Sequence, residues 1–308
     1  MLDPVALFEF DPHVDHRTVR ASKLVVTLGT RDPGGVQQLI DTHLLNTLPN
    51  HRLGGVDMDQ VIDYTTARPT ISFDQDHFHD YQPPEIELHQ VTDAEGRSFL
   101  LLHGFEPTLQ WERLVNTVDH LLNRFYVAET VIVQGVPSPV PHTREMHVTR
   151  YAGQPGMVPV EEKVPAVFKM PASFTSLLAL RLAERQRKVT GLVAHVPHYL
   201  AHGEAPEAAL RMLERLAEHT ALDLPAGDLP MLVEAFRAQL DAEVAESAEA
   251  QHMISRLEGY YDRFWETSAL TESTEVPTAD EIGAQVEDFL RGLDTDAPDS
   301  PDEGDLHG

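Results

Sequence analysis

Four short runs of consecutive apolar residues constrain this chain more than anything else in it. They are "KLVVTLG" (23–29), "SFLLLHG" (98–104), "TVIVQG" (130–135) and "GLVAHVP" (191–197). Each is short for a helix, mostly aliphatic and bounded by glycine or proline, so each reads as a strand buried on both faces. Between the runs the apolar period lengthens to that of a helix. After "TRDPGG", Val36, Leu39, Ile40 and Leu44 share one face. Trp111, Leu114, Val115, Val118, Leu121, Leu122 and Phe125 form a second stripe, with Pro107 expected in its first turn, and a third helix is predicted from Phe174 to Lys188. Alternating strands and helices predict an α/β fold around a parallel sheet. Further strands are predicted near Leu53–Val56, in "RPTISFD" (68–74) and in "EIELHQVTD" (85–93), with "AEGR" (94–97) as a hairpin turn.

Beyond about residue 200 the period is helical only. "PEAALRMLERLAEHT" (206–220) begins with a proline suited to a first turn. "LPMLVEAFRAQLDAEVAES" (229–247) follows, then "AQHMISRLEGYYDRFWE" (250–266), which places Ile254, Leu257, Tyr261 and Phe264 on one face, and a last short helix in 278–293. The division expected is a core domain over 1–203, a helical subdomain with a C-terminal helix over 204–292, and a disordered acidic tail over 293–308.

Charge and composition then exclude several classes. The 308 residues carry a net charge of −27, and from residue 201 onward 26 acidic side chains face 6 arginines. Such a surface repels phosphate backbones, so no nucleic acid is expected as partner. With no cysteine in the chain, thiolate chemistry is excluded and a reducing compartment fits. No apolar run approaches the ~20 residues of a membrane span, and the N-terminus lacks a signal-peptide pattern. A cytoplasmic location and no membrane contact are the expectations.

Known catalytic signatures are missing: no Walker A or G-x-G-x-x-G phosphate loop, no H-E-x-x-H and no G-x-S-x-G occurs. "GTRDPGG" joins a strand to a helix, where backbone N–H groups can hold an anion; a plain turn is the simpler reading. Asp76, His77 and His79 in "FDQDHFHD" offer a weak metal set against a surface role. No cofactor is expected.

The most unusual stretch is "GVPSPVPHTR" (135–144), in which three prolines brace His142, Thr143 and Arg144 at a strand's exit. Loops leaving the carboxyl ends of neighbouring parallel strands cluster in space. His142 and Arg144 are therefore candidates to share a cleft with Glu106, and with His198 and Tyr199 of "HVPHYLA". Arg68, Trp111 and Thr143 complete the candidate set. Such a cleft suits a small carboxylate, with His142 moving protons and Arg144 fixing the substrate. The same residues equally suit a polar network that locks loop geometry.

"RPTI", "HGFEPTLQWERLV", "GVPSPVPHTR", "AHVPHYLA" and "VEDFLR", in this order, resemble the actinobacterial branch of the PAC2 family, named after proteasome assembly chaperone 2. The resemblance spans about Lys23 to Trp265. It implies a three-layer α/β/α sandwich like that of nucleoside phosphorylases and related hydrolases, with a small C-terminal helical region. It also implies homo-oligomers, a trimer among them, and no established catalysis. "VFKMPASF" (167–174) and "TRDPGG" depart from the turns many members carry there, which indicates a divergent sub-branch. The function expected is a non-enzymatic assembly chaperone or protein-binding module, with proteasome subunits or another protein as partner. The alternative is an enzyme acting on a small carboxylate or amide through Glu106, His142 and Arg144.

Overall fold

The computed structural model describes residues 3–29, 32–159, 167 and 169–270, with side chains described to residue 263. The apolar runs form the middle of an eight-stranded mixed sheet. In chain order the strands are β1 (Phe8–Phe10), β2 (Lys23–Leu28), β3 (Asn50–Val56), β4 (Ser72–Asp74), β5 (His77–His79), β6 (Ile86–Thr92), β7 (Ser98–Gly104), β8 (Glu129–Ser138), β9 (Val148–Ala152) and β10 (Lys188–Pro197). The large sheet runs β1-β3-β6-β7-β2-β8-β10-β9, and β4-β5 is a separate hairpin. β7, β2, β8 and β10 are mutually parallel, as the continuous apolar runs predict. β1, β3 and β6 extend one side antiparallel, and β9 closes the other.

Among the described residues six α-helices accompany the strands: α1 (Val36–Thr47), α2 (Trp111–Phe125), α3 (Phe174–Glu184), α4 (Pro206–Thr220), α5 (Leu229–Ala245) and α6 (Ala248–Leu270). Two apolar cores lie on the sheet's two faces. One packs α2 and α3, through Leu114, Val118, Phe125, Phe174 and Leu178, on Leu24, Val26, Leu100 and Ile132. The other packs α1 and α4, through Ile40, Leu44, Met212 and Leu216, on Val25, Leu101, Val131 and Val133. The α/β/α layering expected from the family resemblance is therefore present. α5 packs on α4. The described residues of 1–163 and 172–263 make one compact unit; most of the second, 164–171 with 264–308, falls outside the described residues. So do Phe264's side chain, the helix expected over 278–293 and the acidic tail.

Two expected boundaries move. Pro107 precedes α2 rather than opening it, because the backbone N–H groups of Thr108 and Leu109 both bond to the Val61 carbonyl and hold the loop off the helix axis. α3 ends at Glu184, not Lys188, because Gln186 takes a left-handed φ of 61° and Lys188 already belongs to β10.

The amino-terminal rim of the parallel strands is tied by charge. Lys23, Glu129 and Lys188 open β2, β8 and β10 in register. Glu129 is 2% exposed. Its Oε2 receives Lys23 Nζ at 2.5 Å and Lys188 Nζ at 3.2 Å. Its Oε1 takes the Thr190 hydroxyl at 3.0 Å and His219 Nε2 of α4 at 2.9 Å. Burial pushes the Glu129 carboxyl up, but these bonds outweigh it and hold the group well below the usual carboxylate range. At the other side of the sheet, Gly191 of β10 leaves room for the Tyr151 ring of β9; a Cβ there would lie 1.9 Å from the ring's Cζ.

Candidate functional site

The four parallel strands present their carboxyl ends along one rim, but not at one height. β2 stops at Leu28, two residues beyond its last pairing of Val26 with Ile132, while β8 continues from Ile132 to Ser138, paired with β10 to Pro197. At ~3.3 Å per residue, β8 and β10 overhang β2 by about 13 Å. The braced loop leaves from this overhang, well past the exit of β7.

His142 is 4% exposed and both ring nitrogens are engaged. The Tyr199 hydroxyl accepts the His142 backbone N–H at 2.8 Å and donates to Nδ1 at 2.7 Å. Nε2–H then donates to Asp241 Oδ1 of α5 at 3.2 Å. Burial pushes the Tyr199 phenol up to about 12. Thr143 donates to Glu258 Oε1 at 2.6 Å. The Arg144 guanidinium forks onto Asp262, Nε to Oδ1 and Nη2 to Oδ2, both at 2.8 Å, and reaches Glu258 at 3.0 Å. Glu258 and Asp262 stand four residues apart on α6, so one helix face presents both carboxylates. Three residues on, His147 stacks on Tyr261 at 5.7 Å, and the Tyr261 hydroxyl donates to the Glu145 carbonyl at 3.0 Å. The cavity beside His142, lined by Met146, Leu200, Ala205 and Phe236 among others, has about 10 Å³, room for one water at most.

Glu106 works on the opposite layer. Its Oε1 accepts the backbone N–H of Phe174 at 2.6 Å, at the start of α3, where a carboxylate satisfies an orphan donor and the helix dipole. Trp111 donates its indole N–H to the Pro107 carbonyl at 2.6 Å and stands edge-on to Phe174. The structure thus brings His142, Thr143, Arg144 and Tyr199 together under α5 and α6, and attaches Glu106 and Trp111 to α2 and α3. The cleft expected to unite Glu106, His142 and Arg144 is not assembled, because their loops turn to different faces of the sheet. Arg68 and His198 are exposed.

The "GTRDPGG" turn supplies its own anion. Asp32 accepts the backbone N–H groups of Gln37 and Gln38, both at 2.9 Å, occupying the N-terminus of α1. Asp76, His77 and His79 lie on the exposed β4–β5 hairpin, where His77 pairs with Asp76 at 3.0 Å and His79 with Asp80 at 2.8 Å. His195 ties three strands, with Ser138 of β8 on Nδ1 and Thr149 of β9 on Nε2, each at 2.9 Å. Sequence reasoning left Asp241, Glu258 and Asp262 unassigned. Their signal was the acidic surplus of the helical region set against one rigid loop ending in arginine.

The PAC2 family model matches residues 26–244. The chain belongs to the PAC2 family. A Mycobacterium tuberculosis protein of unknown function is 32% identical in a solved structure, with 86% of this chain and 92% of that one covered and a TM-score of 0.80. One from Corynebacterium glutamicum ATCC 13032, also of unknown function, is 28% identical over 85% of this chain and 98% of its own, with a TM-score of 0.76. A Mycobacterium tuberculosis proteasome-assembly chaperone homologue shares the PAC2 fold at 20% identity, 75% and 99% coverage and a TM-score of 0.66. No curated protein matches. Among the described residues no helix is long and apolar enough to cross a membrane.

Proposed function

We propose that this PAC2 protein is a non-catalytic protein-binding module that assists assembly of a multi-subunit partner, with proteasome subunits as the first candidates. One observation carries the reading. The β4–β5 hairpin projects Phe73 and Phe78 as a cross-strand aromatic pair, 60% and 68% exposed, with Ile71 and Tyr81 beside them. Large aromatic side chains held in the open on a two-stranded hairpin are characteristic of contact surfaces. The polar residues best suited to chemistry support the same reading, since His142 and Arg144 are engaged in holding α5 and α6. The chaperone homologue of similar fold supports the choice of partner.

The test is native mass spectrometry of the purified protein with isolated proteasome α and β subunits. Wild-type protein is expected to form a complex, and a Phe73→Ser, Phe78→Ser double variant to bind at least about tenfold more weakly with unchanged circular dichroism. Absence of any complex, or equal binding by the variant, refutes the reading.

A further inference from the structure

A polar stripe crosses the face of the sheet that α1 covers. Glu87 and His89 alternate with apolar residues on β6, and His103 of β7 stands opposite Glu87. Oxygen and nitrogen atoms of Glu87, His89 and His103 lie within 4.8 Å of one another, the one such three-residue group among the described residues. All three side chains are partly buried. Arg52 of β3, opposite His89, donates to Oε1 of Glu87 and leaves Oε2 turned toward the histidines. Asn50 Oδ1 lies 3.3 Å from His89 Nδ1 and fixes that ring nitrogen as the donor.

The hydrogen-bond accounting is unbalanced. With Nδ1–H directed at Asn50, a neutral His89 points the lone pair of Nε2 at Glu87 Oε2, 3.2 Å away. Two acceptors face each other there, and a cation must stand between them. A proton would satisfy that pair but not His103, whose Nε2 is buried without a hydrogen-bond partner. A metal ion satisfies all three groups at once.

We propose that Glu87, His89 and His103 form a binding site for a zinc-class divalent ion, with solvent as the remaining ligand. Two imidazoles and one carboxylate are the donor set of borderline ions such as Zn²⁺ rather than of Mg²⁺ or Ca²⁺. Ligands ~2.0–2.1 Å from a tetrahedral ion are ~3.3 Å apart, close to the His89–Glu87 separation. Asn50 and Arg52 hold these two ligands from behind. The site is independent of the partner-binding reading.

The experiment uses untagged, EDTA-dialysed full-length protein titrated with ZnCl₂ by calorimetry, with metal content read by elemental analysis. One equivalent of zinc is expected to bind. The His103→Gln and Glu87→Gln variants are expected to bind at least about tenfold more weakly. A His77→Ala, His79→Ala variant removes the exposed hairpin histidines and is expected to keep the full equivalent. Failure of wild-type protein to take up one equivalent overturns the proposal. Loss of the ion in the hairpin variant, or its retention in both inner variants, also overturns it.

Discussion

Replacing Glu129 with glutamine removes one negative charge from the amino-terminal rim of the sheet while nearly preserving the side chain's shape. Four cationic or donor groups, Lys23, Lys188, Thr190 and His219, then meet an amide instead of a carboxylate. Removing one partner of a buried ion pair costs about 3–5 kcal/mol, because the other charge is left desolvated. Lys188 is 54% exposed and turns to solvent at little cost, whereas Lys23, at 21%, is the cation left stranded. The lower end of the range applies, about 3 kcal/mol at neutral pH, or roughly 6–12 °C in Tm for a unit of this size. The pH dependence sharpens the test. A carboxyl depressed in the folded state stabilises the protein fully above its unfolded value of 4.5 and loses that contribution as pH falls toward the folded value. The gap between wild type and E129Q should therefore shrink by about 1.4 kcal/mol per pH unit below that point. It should be roughly halved near pH 3.5. Urea denaturation at both pH values measures it. A neutral-pH gap under about 1 kcal/mol, or one that does not narrow in acid, would refute the reasoning.

Arg144→Met should leave the sheet intact and loosen α6, the helix it clamps. Hydrogen exchange in α6 is expected to accelerate while β2 and β8 stay protected, and unchanged protection in α6 would contradict the clamp. Gly191→Ala should cost about 1–3 kcal/mol, because the new methyl occupies the space of the Tyr151 ring. Adding Tyr151→Ala should recover part of that loss, and equal stabilities for the single and double variants would show that the ring is not the obstacle.

The elements were legible in the sequence because their causes are local. A strand buried on both faces is apolar at most positions, so "KLVVTLG", "SFLLLHG" and "TVIVQG" announced β2, β7 and β8 without any knowledge of their neighbours. The stripe of α2 gave away its buried face in the same way: Leu114, Val118, Leu121 and Phe125 are in the core. The braced loop was also legible as a device for presenting His142, Thr143 and Arg144. Its target was not, because Arg144 meets Asp262 across 118 residues of chain and no local pattern encodes that pairing. Strand edges with little apolar content, such as β9 with five half-buried residues, left no comparable signal.

The amino-acid order alone thus determined the central strands and the helices, and that one loop is rigid, since burial and proline act residue by residue. Only the tertiary structure decided what each loop serves. The order β7-β2-β8-β10 and the overhang of β8 carry "VPHTR" past Glu106 to the carboxylates of α6. The antiparallel register of β6 and β7 sets His103 beside Glu87. Both outcomes depend on which strands lie side by side and how far each one runs, a property of the assembled sheet rather than of any stretch within it.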